Sequence, residues 1–422
     1  SNCKQYMFKA IGLMTGSSMD GIDGALIETD GLFYSQHISG ASIDYSSEFK
    51  ILLRICEYAV QQEKGNLNFT SLNFKKHMLN FLSENNTSAT LNKLENYLSS
   101  KVTFENIRKH LTILHSQIVD QLIEESGIES VDIIGFHGQN LYHKPEDKIS
   151  IQMSDGQFLA DMTNTKVVTN FRAQDVSSGG QGAPLAPMYH RVLASMKNMF
   201  PIAFVNCGGI SNISYIKGLE DNGFIGFDTG PGNVLIDKYI RHKTSDQEFM
   251  DLDGKYGING AVNHDVIALL YSNSIKHNIG NFFTSLPPKS LDYSNFFLIE
   301  EILKMRIEDA SATLEYFTAD SILNSFDFID IKSLKSLVLC GGGWNNPVIK
   351  QFFIAGAAKK FPSTLNIITS DELGWKSKYI EAEIFGYLAV RSKLNLPTSL
   401  PNITGVRIPT VGGNLHHPHT SL

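Results

Sequence analysis

The chain is predicted to be an α/β protein with two similar lobes, on three observations. Short apolar runs of strand character alternate with helix-period stretches along the whole length. Glycine-rich loops follow strands in both halves, and two of them are hairpin tips at corresponding places. A length of 422 residues suffices for two domains, and an apolar share of 42% suffices for a large core.

Residues 6–14 form an apolar strand that runs into the turn T-G-S-S-M-D-G at 15–21, and residues 22–28 return as a second strand. From about 49 to 127 the pattern is mostly helical; residues 61–100, heavy in Asn, Ser and Lys, read as loosely packed helices or long loops. Residues 131–136 are a buried strand ending in His137-Gly138-Gln139, with further strands at 148–152 and 167–171. The pattern then restarts. A strand at 201–205 leads to the tip 206–212 and a return strand at 213–216. Strand 224–227 breaks at D-T-G-P-G-N (228–233), and a helix follows over 234–241. Strand 336–340 ends in three glycines, after which Asn345 or Asn346 caps a helix with Pro347 in its first turn. The junction near 196–200 divides the chain into an N-terminal lobe, 1–197, and a C-terminal lobe, 198–422, whose final segment packs back on the first. His416, His417 and His419 read as a disordered tail rather than a metal tract.

The bulk properties exclude several classes. A net charge of −7 with no long basic run argues against nucleic acid and anionic membranes as partners. Cys3, Cys56, Cys207 and Cys340 form no C-x-x-C pair, which fits a reduced, cytoplasmic protein. No apolar run approaches the roughly 18 residues of a membrane span, and the first residues lack a signal-peptide pattern.

Residues 174–190, Q-D-V-S-S-G-G-Q-G-A-P-L-A-P-M-Y-H, are the most informative stretch. Asp175 precedes a run of glycines and prolines, where backbone can approach a ligand and a lone acid can act as general base. The alternative is a solvated Asp on a surface loop. Four glycine-rich loops, at 16–21, 206–212, 228–233 and 341–346, fit a polyphosphate gripped by backbone N–H groups and hydroxyls. No Walker motif occurs. For any one loop the alternative is a tight turn between strands. Asp20, Asp23 and Asp228 lie near these loops, and Mg²⁺ prefers carboxylates, waters and phosphate oxygens. His137 and Gln139 end a buried strand, where ligands sit in α/β sheets; the alternative is a hydrogen-bonded turn.

The chain resembles the anhydro-N-acetylmuramic acid kinases, sugar kinases of the actin, hexokinase and heat-shock chaperone ATPase superfamily. The motifs are G-S-S-M-D-G-I-D (16–23), F-H-G-Q-N-L-Y-H (136–143), N-F-R-A-Q-D-V-S-S-G-G-Q-G-A-P-L-A-P (170–187), N-C-G-G-I-S-N-I (206–213), F-D-T-G-P-G-N (227–233), C-G-G-G-W-N-N (340–346) and D-E-L-G-W-K-S-K-Y-I-E-A (371–382). They span nearly the whole chain. Ser17 replaces the family's usual threonine and keeps the hydroxyl, Cys207 replaces an aliphatic residue, and extra length falls in 61–100 and near 265–295.

The resemblance implies two RNase H-like lobes with an ATP cleft between them, with ATP and Mg²⁺ as cofactors. Asp175 is the implied catalytic base. ATP is expected at Gly16, Ser17, Ser18, Met19, Asp20, Gly21, Ile22 and Asp23 on the first loop, and at Asn206, Gly208, Gly209 and Asn212 on the second. Gly341, Gly342, Gly343 and Asn346 would belong to the adenosine pocket. Asp20 and Asp228 are the expected metal ligands. Arg172 and Glu381, with His137 and Gln139, are expected to face the sugar; the alternatives are a structural ion pair for Arg172 and an exposed helix charge for Glu381. The implied activity is ATP-dependent opening and phosphorylation of 1,6-anhydro-N-acetylmuramic acid in peptidoglycan recycling. An ordinary amino-sugar kinase and a non-enzymatic nucleotide switch are the alternatives. The family often forms homodimers, so a homodimer is the expected assembly.

Overall fold

Two sheets with the same strand order organise the protein, whose computed structural model describes residues 6–16, 18–85, 89–277 and 280–419. In the first, β1 (Phe8–Thr15), β2 (Gly21–Thr29) and β3 (Ser35–Asp44) form an antiparallel meander. β4 (Ile133–Phe136) then pairs parallel to β1. A separate two-stranded ribbon follows, β5 (Gln139–Lys144) with β6 (Ile149–Met153). β7 (Val167–Thr169) pairs parallel to β4, so the order is β3-β2-β1-β4-β7. In the second sheet, β8 (Ile202–Cys207), β9 (Ile210–Ile216) and β10 (Phe224–Pro231) repeat the antiparallel meander. β11 (Ser336–Cys340) and β12 (Asn366–Thr369) extend it parallel to β8, giving β10-β9-β8-β11-β12. Each sheet thus has the RNase H-like order 3-2-1-4-5, with the second strand antiparallel to its neighbours. A final strand, β13 (Asn414–His416), pairs antiparallel with β7 and completes a six-stranded first sheet.

Two compact units surround these sheets. The first comprises Ser1–Gly182, Tyr379–Ser399 and Val406–Leu422; the second comprises Ala183–Lys378 and Leu400–Gly405. The division falls at Gly182–Ala183, ahead of the 196–200 junction read from the sequence.

In the first unit, helices cover both faces of the sheet, so strands such as β1 are buried on both sides rather than alternating. On one face the Phe104–Ser126 helix lies against Gly24, where an added Cβ would come within 2.3 Å of Ile118. On the other, the Ile380–Lys393 helix meets β1 and β4 backbone to backbone: a Cβ at Gly12 would lie 1.7 Å from the Ala382 carbonyl oxygen, and one at Gly135 2.0 Å from that of Phe385. That helix is the C-terminal D-E-L-G-W motif's continuation, and its first turn carries Glu381.

Residues 61–100 hold two short helices, Ser71–Glu84 and Leu91–Leu98, each capped by a threonine, Thr70 or Thr90, that accepts a backbone N–H. Each docks through two buried residues, Phe74 with Met78 and Leu94 with Leu98, spaced one helical turn apart. Each such side chain contributes roughly 1.5–3 kcal/mol by burial, enough to seat a short helix. In the second unit the Ile307–Ser325 helix is buried nearly all round, at the centre of a core shared with the Pro347–Lys360 helix and β10.

Two further sequence expectations are corrected. The D-T-G-P stretch continues β10 rather than breaking it, with a register shift between Asp228 and Gly230. The histidine tail is ordered through His419: His416 lies in β13 with Nε2 2.8 Å from the Thr169 hydroxyl. His419 meets Asp161. Among the described residues no helix is long and apolar enough to cross a membrane.

Candidate active site

Asp175 sits in a single helical turn, Ala173–Ser177, immediately before the glycine run. It is 1% exposed. The Gly182 N–H donates to its Oδ1 at 2.7 Å, and the Ser399 hydroxyl donates to its Oδ2 at 2.6 Å. Gly180 lies directly against the carboxylate, where a Cβ would stand 2.1 Å from Oδ1, so only glycine leaves the acid its place. Arg172, at the N-terminus of the same turn, donates from Nη1 to the Gly182 carbonyl at 2.7 Å. One residue, Gly182, therefore anchors both the acid, through its N–H, and the guanidinium, through its carbonyl.

Arg172 also donates from Nε to His137 Nε2 at 3.2 Å, while His137 Nδ1 lies 2.7 Å from the Gly138 carbonyl. These partners set the tautomer: Nδ1 carries the proton and Nε2 accepts. Burial, reinforced by the Arg172 charge, pulls His137 down to about 3, so it is a neutral ring. Glu381 remains accessible to solvent although protein atoms crowd it. Desolvation and then the charge of Asp23 push its carboxyl above the usual range, with Arg172 opposing. The structure thus brings Arg172, His137, Asp175 and Glu381 into one unit and one electrostatic neighbourhood. Gln139 differs from expectation. It is fully buried, accepts from the Thr15 hydroxyl at 3.0 Å and donates to the Gly16 carbonyl at 3.2 Å, so it braces the first hairpin tip.

At that tip the Met19 N–H closes a turn onto the Gly16 carbonyl at 3.0 Å. Met19 has φ 58° and a buried side chain. Ser18 follows the tip's one expected residue, Ser17, that lies outside the described residues. Asp20 is the exposed acid of the tip, 63% accessible, with Lys50 Nζ 3.7 Å away. Gly21 opens β2, where a Cβ would stand 2.1 Å from the Ile43 carbonyl. Ile22 is part of the core, and Asp23 accepts from the Ser42 hydroxyl at 2.5 Å.

In the second unit the β8–β9 tip is tied to the start of the Val234–Lys243 helix. Gly232 and Val234 donate to the Gly209 carbonyl, and Asn233 donates to that of Gly208. Tyr293 lies over Gly209, where a Cβ would stand 1.6 Å from its hydroxyl. Asn212 Oδ1 and Thr229 Oγ1 are buried with no protein partner, two polar atoms beside a glycine-rich tip. Asn206 Oδ1 and the Cys207 carbonyl crowd Gly341, whose φ is 94°. Gly342, with no atom near its missing Cβ, and Gly343 begin a 3₁₀ turn that ends at Asn345. Cys207 is buried, which pushes its thiol up to about 12 and fits a packing role.

Asp228 accepts from the Leu291 N–H at 2.7 Å, beside the buried Lys289. Lys289 donates to the Phe282 carbonyl and lies 4.5 Å from the ring centres of Phe282 and Phe328; burial pulls it down to about 8 against the raising influence of Asp228. The Asp228 carboxylate therefore already accepts from a protein N–H. Among the described residues no cluster of three or more His, Cys, Asp or Glu stands ready for a metal. Asp20, exposed at the first tip, offers the oxygen chemistry that a cation shared with phosphates takes.

Asn346 caps the Pro347–Lys360 helix, accepting from Val348 and Ile349 N–H, and its amide donates to Glu315 Oε2. Glu315 Oε1 is buried and meets no donor, while Asp251 lies beside it accepting from Tyr256 and Gly257 N–H. A proton on Glu315, shared with Asp251, resolves the conflict. Burial and Asp251 accordingly push Glu315 up to about 9 from its ordinary 4.5. The fold then binds one more proton than the unfolded chain between about pH 4.5 and 9, so this contribution to stability falls as pH rises through that window and levels off above it. Glu315→Gln, which stays neutral, is expected to remove that part of the slope. Calorimetric Tm values from pH 5 to 9 check it, and identical slopes in both proteins would refute it.

Sequence reasoning missed Ser399 and the Gly182 N–H as partners of Asp175. No local signal marks Ser399, which lies 224 residues from the acid, whereas Gly182 is seven residues away in the same glycine run.

With the geometry in place, comparison with known proteins is direct. The family profile described as anhydro-N-acetylmuramic acid kinase matches residues 38–418. The anhydro-N-acetylmuramic acid kinase of Zymomonas mobilis subsp. mobilis is 36% identical over 414 residues, covering 97% of this chain and 99% of that one. That of Rhodopseudomonas palustris is 35% identical over 412 residues, covering 97% and 100%. That of Nitrobacter winogradskyi is 34% identical over 416 residues, covering 98% and 100%. Similarity of this depth and coverage, over a chain with two RNase H-like sheets and an acid buried at the glycine run, makes this protein a member of the anhydro-N-acetylmuramic acid kinase family.

Proposed function

We propose that this chain is an ATP-dependent kinase that hydrolytically opens 1,6-anhydro-N-acetylmuramic acid and phosphorylates its O6, giving N-acetylmuramic acid 6-phosphate and ADP in peptidoglycan recycling. The observation that carries the reading is the buried Asp175 carboxylate, fixed by the Gly182 N–H, whose residue also holds Arg172 through its carbonyl. An enclosed, oriented carboxylate is suited to take a proton.

In the anhydro sugar O6 is bonded to C1 and bears no proton, so a base cannot act on it. Water instead attacks C1 and Asp175 receives the water's proton. As the C1–O6 bond breaks, O6 bonds to the γ-phosphorus of ATP, whose bond to the bridging oxygen breaks to release ADP. The departing oxygen thus meets an electrophile where a glycosidase supplies an acid. Arg172 and Glu381 bind and orient the sugar in this reading, and His137, as a neutral acceptor, holds the guanidinium in place. The tip at Gly16, Ser18 and Gly21 and the tip at Gly208, Gly209 and Asn212 hold phosphates. The orphaned Asn212 Oδ1 and Thr229 Oγ1 support a polar ligand there. Gly341 to Gly343 leave room for adenosine, with Asn346 setting the loop. Asp20 would hold Mg²⁺ with the nucleotide, and the ion would supply neutralisation of phosphate charge. The reading sets the enzyme in the cytoplasm, as the homodimer the family resemblance implies.

Turnover in oxygen-18 water tests it. Label is expected on C1 of the product and absent from the transferred phosphate, with ADP release that requires the anhydro sugar. Label in the phosphate, or equal ADP release with a free 6-hydroxyl amino sugar, would overturn the reading.

A further inference from the structure

The two oxygens of Asp175 are held from different parts of the chain. Oδ1 takes its N–H from Gly182, seven residues away, whereas Oδ2 takes the Ser399 hydroxyl from the C-terminal segment. That hydroxyl is itself fixed. Ser399 pairs with Thr410 in an isolated bridge, donating its N–H to the Thr410 carbonyl at 3.2 Å and accepting that residue's N–H at 3.0 Å. Next to it, the Thr398 hydroxyl accepts from the Gly412 N–H at 2.7 Å, and the Gly413 N–H donates to Gln174 Oε1 at 3.0 Å. The segment that carries Ser399 therefore also holds the helical turn that carries Asp175.

We propose that Ser399 is a positioning residue for the proton-accepting carboxylate of Asp175. The torsion that rotates a carboxylate about its Cβ–Cγ bond is soft and has no sharp staggered wells. One donor alone leaves the group free to swing about that contact. Two donors, one on each oxygen, fix the plane and aim the remaining lone pairs. A base that must meet one water on one face of a sugar depends on that aim, because small misplacements of reacting groups carry large losses in rate. Gly180 packs against the same carboxylate, where a Cβ would stand 2.1 Å from Oδ1.

This inference rests on the reading of Asp175 as the base, and the test separates the two. Kinetics with ATP and the anhydro sugar are compared for the wild type, Ser399→Ala, Ser399→Thr and Asp175→Asn, with Tm measured for each. For Ser399→Ala, kcat is expected to fall roughly tenfold to a hundredfold, the range for loss of a hydrogen bond to a charged group. KM for both substrates should stay within about threefold, because a residue acting only on the base does not touch either substrate. Ser399→Thr keeps the hydroxyl on extended backbone and should recover most of kcat; should it lower Tm, the Ser399→Ala result decides alone. Unchanged kcat in Ser399→Ala overturns the proposal, as does a loss that appears in KM, or a folded Ser399→Thr as slow as the alanine variant. Near-normal turnover in Asp175→Asn overturns the base itself. An inactive Asp175→Asn beside a fully active Ser399→Ala leaves the base standing and removes Ser399 from it.

Discussion

Asp175→Asn is expected to lower turnover by about a thousandfold or more while leaving the fold and nucleotide binding in place. General base catalysis contributes about 10²–10⁴-fold. Asn is nearly isosteric, and its carbonyl can still accept the Gly182 N–H that now meets Oδ1. The amide cannot accept the Ser399 hydroxyl on its nitrogen side, so a modest loss of Tm is expected there. Arg172 keeps its bonds to the Gly182 carbonyl and His137, neither of which involves the acid. The measurement is steady-state kcat with the anhydro sugar, alongside ATP binding by calorimetry. A folded variant with turnover near the wild type would remove Asp175 from the chemistry.

Gly12→Ala is expected to have the largest effect on stability. The added carbon would stand 1.7 Å from the Ala382 carbonyl oxygen and 2.6 Å from the Gly386 nitrogen. Both neighbours are backbone of the Ile380–Lys393 helix, so relief requires the whole helix to move off β1. Overpacking of a core commonly costs about 1–3 kcal/mol, and a clash with rigid backbone places this variant at or above the top of that range. Gly218→Ala is the control, since nothing lies within 4 Å of its missing Cβ and its φ is not in the left-handed region; it should change stability by no more than about 0.5 kcal/mol. Urea melts of the two variants give the comparison. Equal midpoints would show that the helix does not approach β1 as described. Because the first turn of this helix carries Glu381, a displaced helix should also weaken sugar binding, read as a raised KM.

The parts of the fold legible in the sequence are those whose signal is local. Strands β1, β2, β4, β8 and β11 are apolar runs that end at glycines, and each glycine tip marks a reversal or a strand end. Asn346 and Pro347 announce their helix because capping is an interaction of neighbours. β3 was not legible. It carries Gln36, His37 and Ser39 among few apolar residues, and only pairing with β2 makes the segment a strand. β12 and β13 are four and three residues long at sheet edges, too short to show a period. The D-T-G-P stretch looked like a break because glycine and proline usually punctuate; a bulge at Asp228 lets β10 absorb both.

The same division runs through the candidate site. The sequence alone determined which chemistry the chain carries: an acid ahead of a glycine run, glycine-rich tips after strands, and the motifs that identify the family. Arg172 precedes Asp175 by three residues, a spacing that sets both on one face where a helical turn forms, and Ala173–Ser177 is such a turn. Only the tertiary structure decided how those groups are held. Gln139 went beneath the first tip because β4 and β5 carry it under Thr15, and Asp228 was taken up by the Leu291 N–H. Asp175 acquired Ser399 across 224 residues of chain. Hydrogen bonds and desolvation act over a few ångströms of space, and a sequence records proximity only where the backbone's own geometry enforces it.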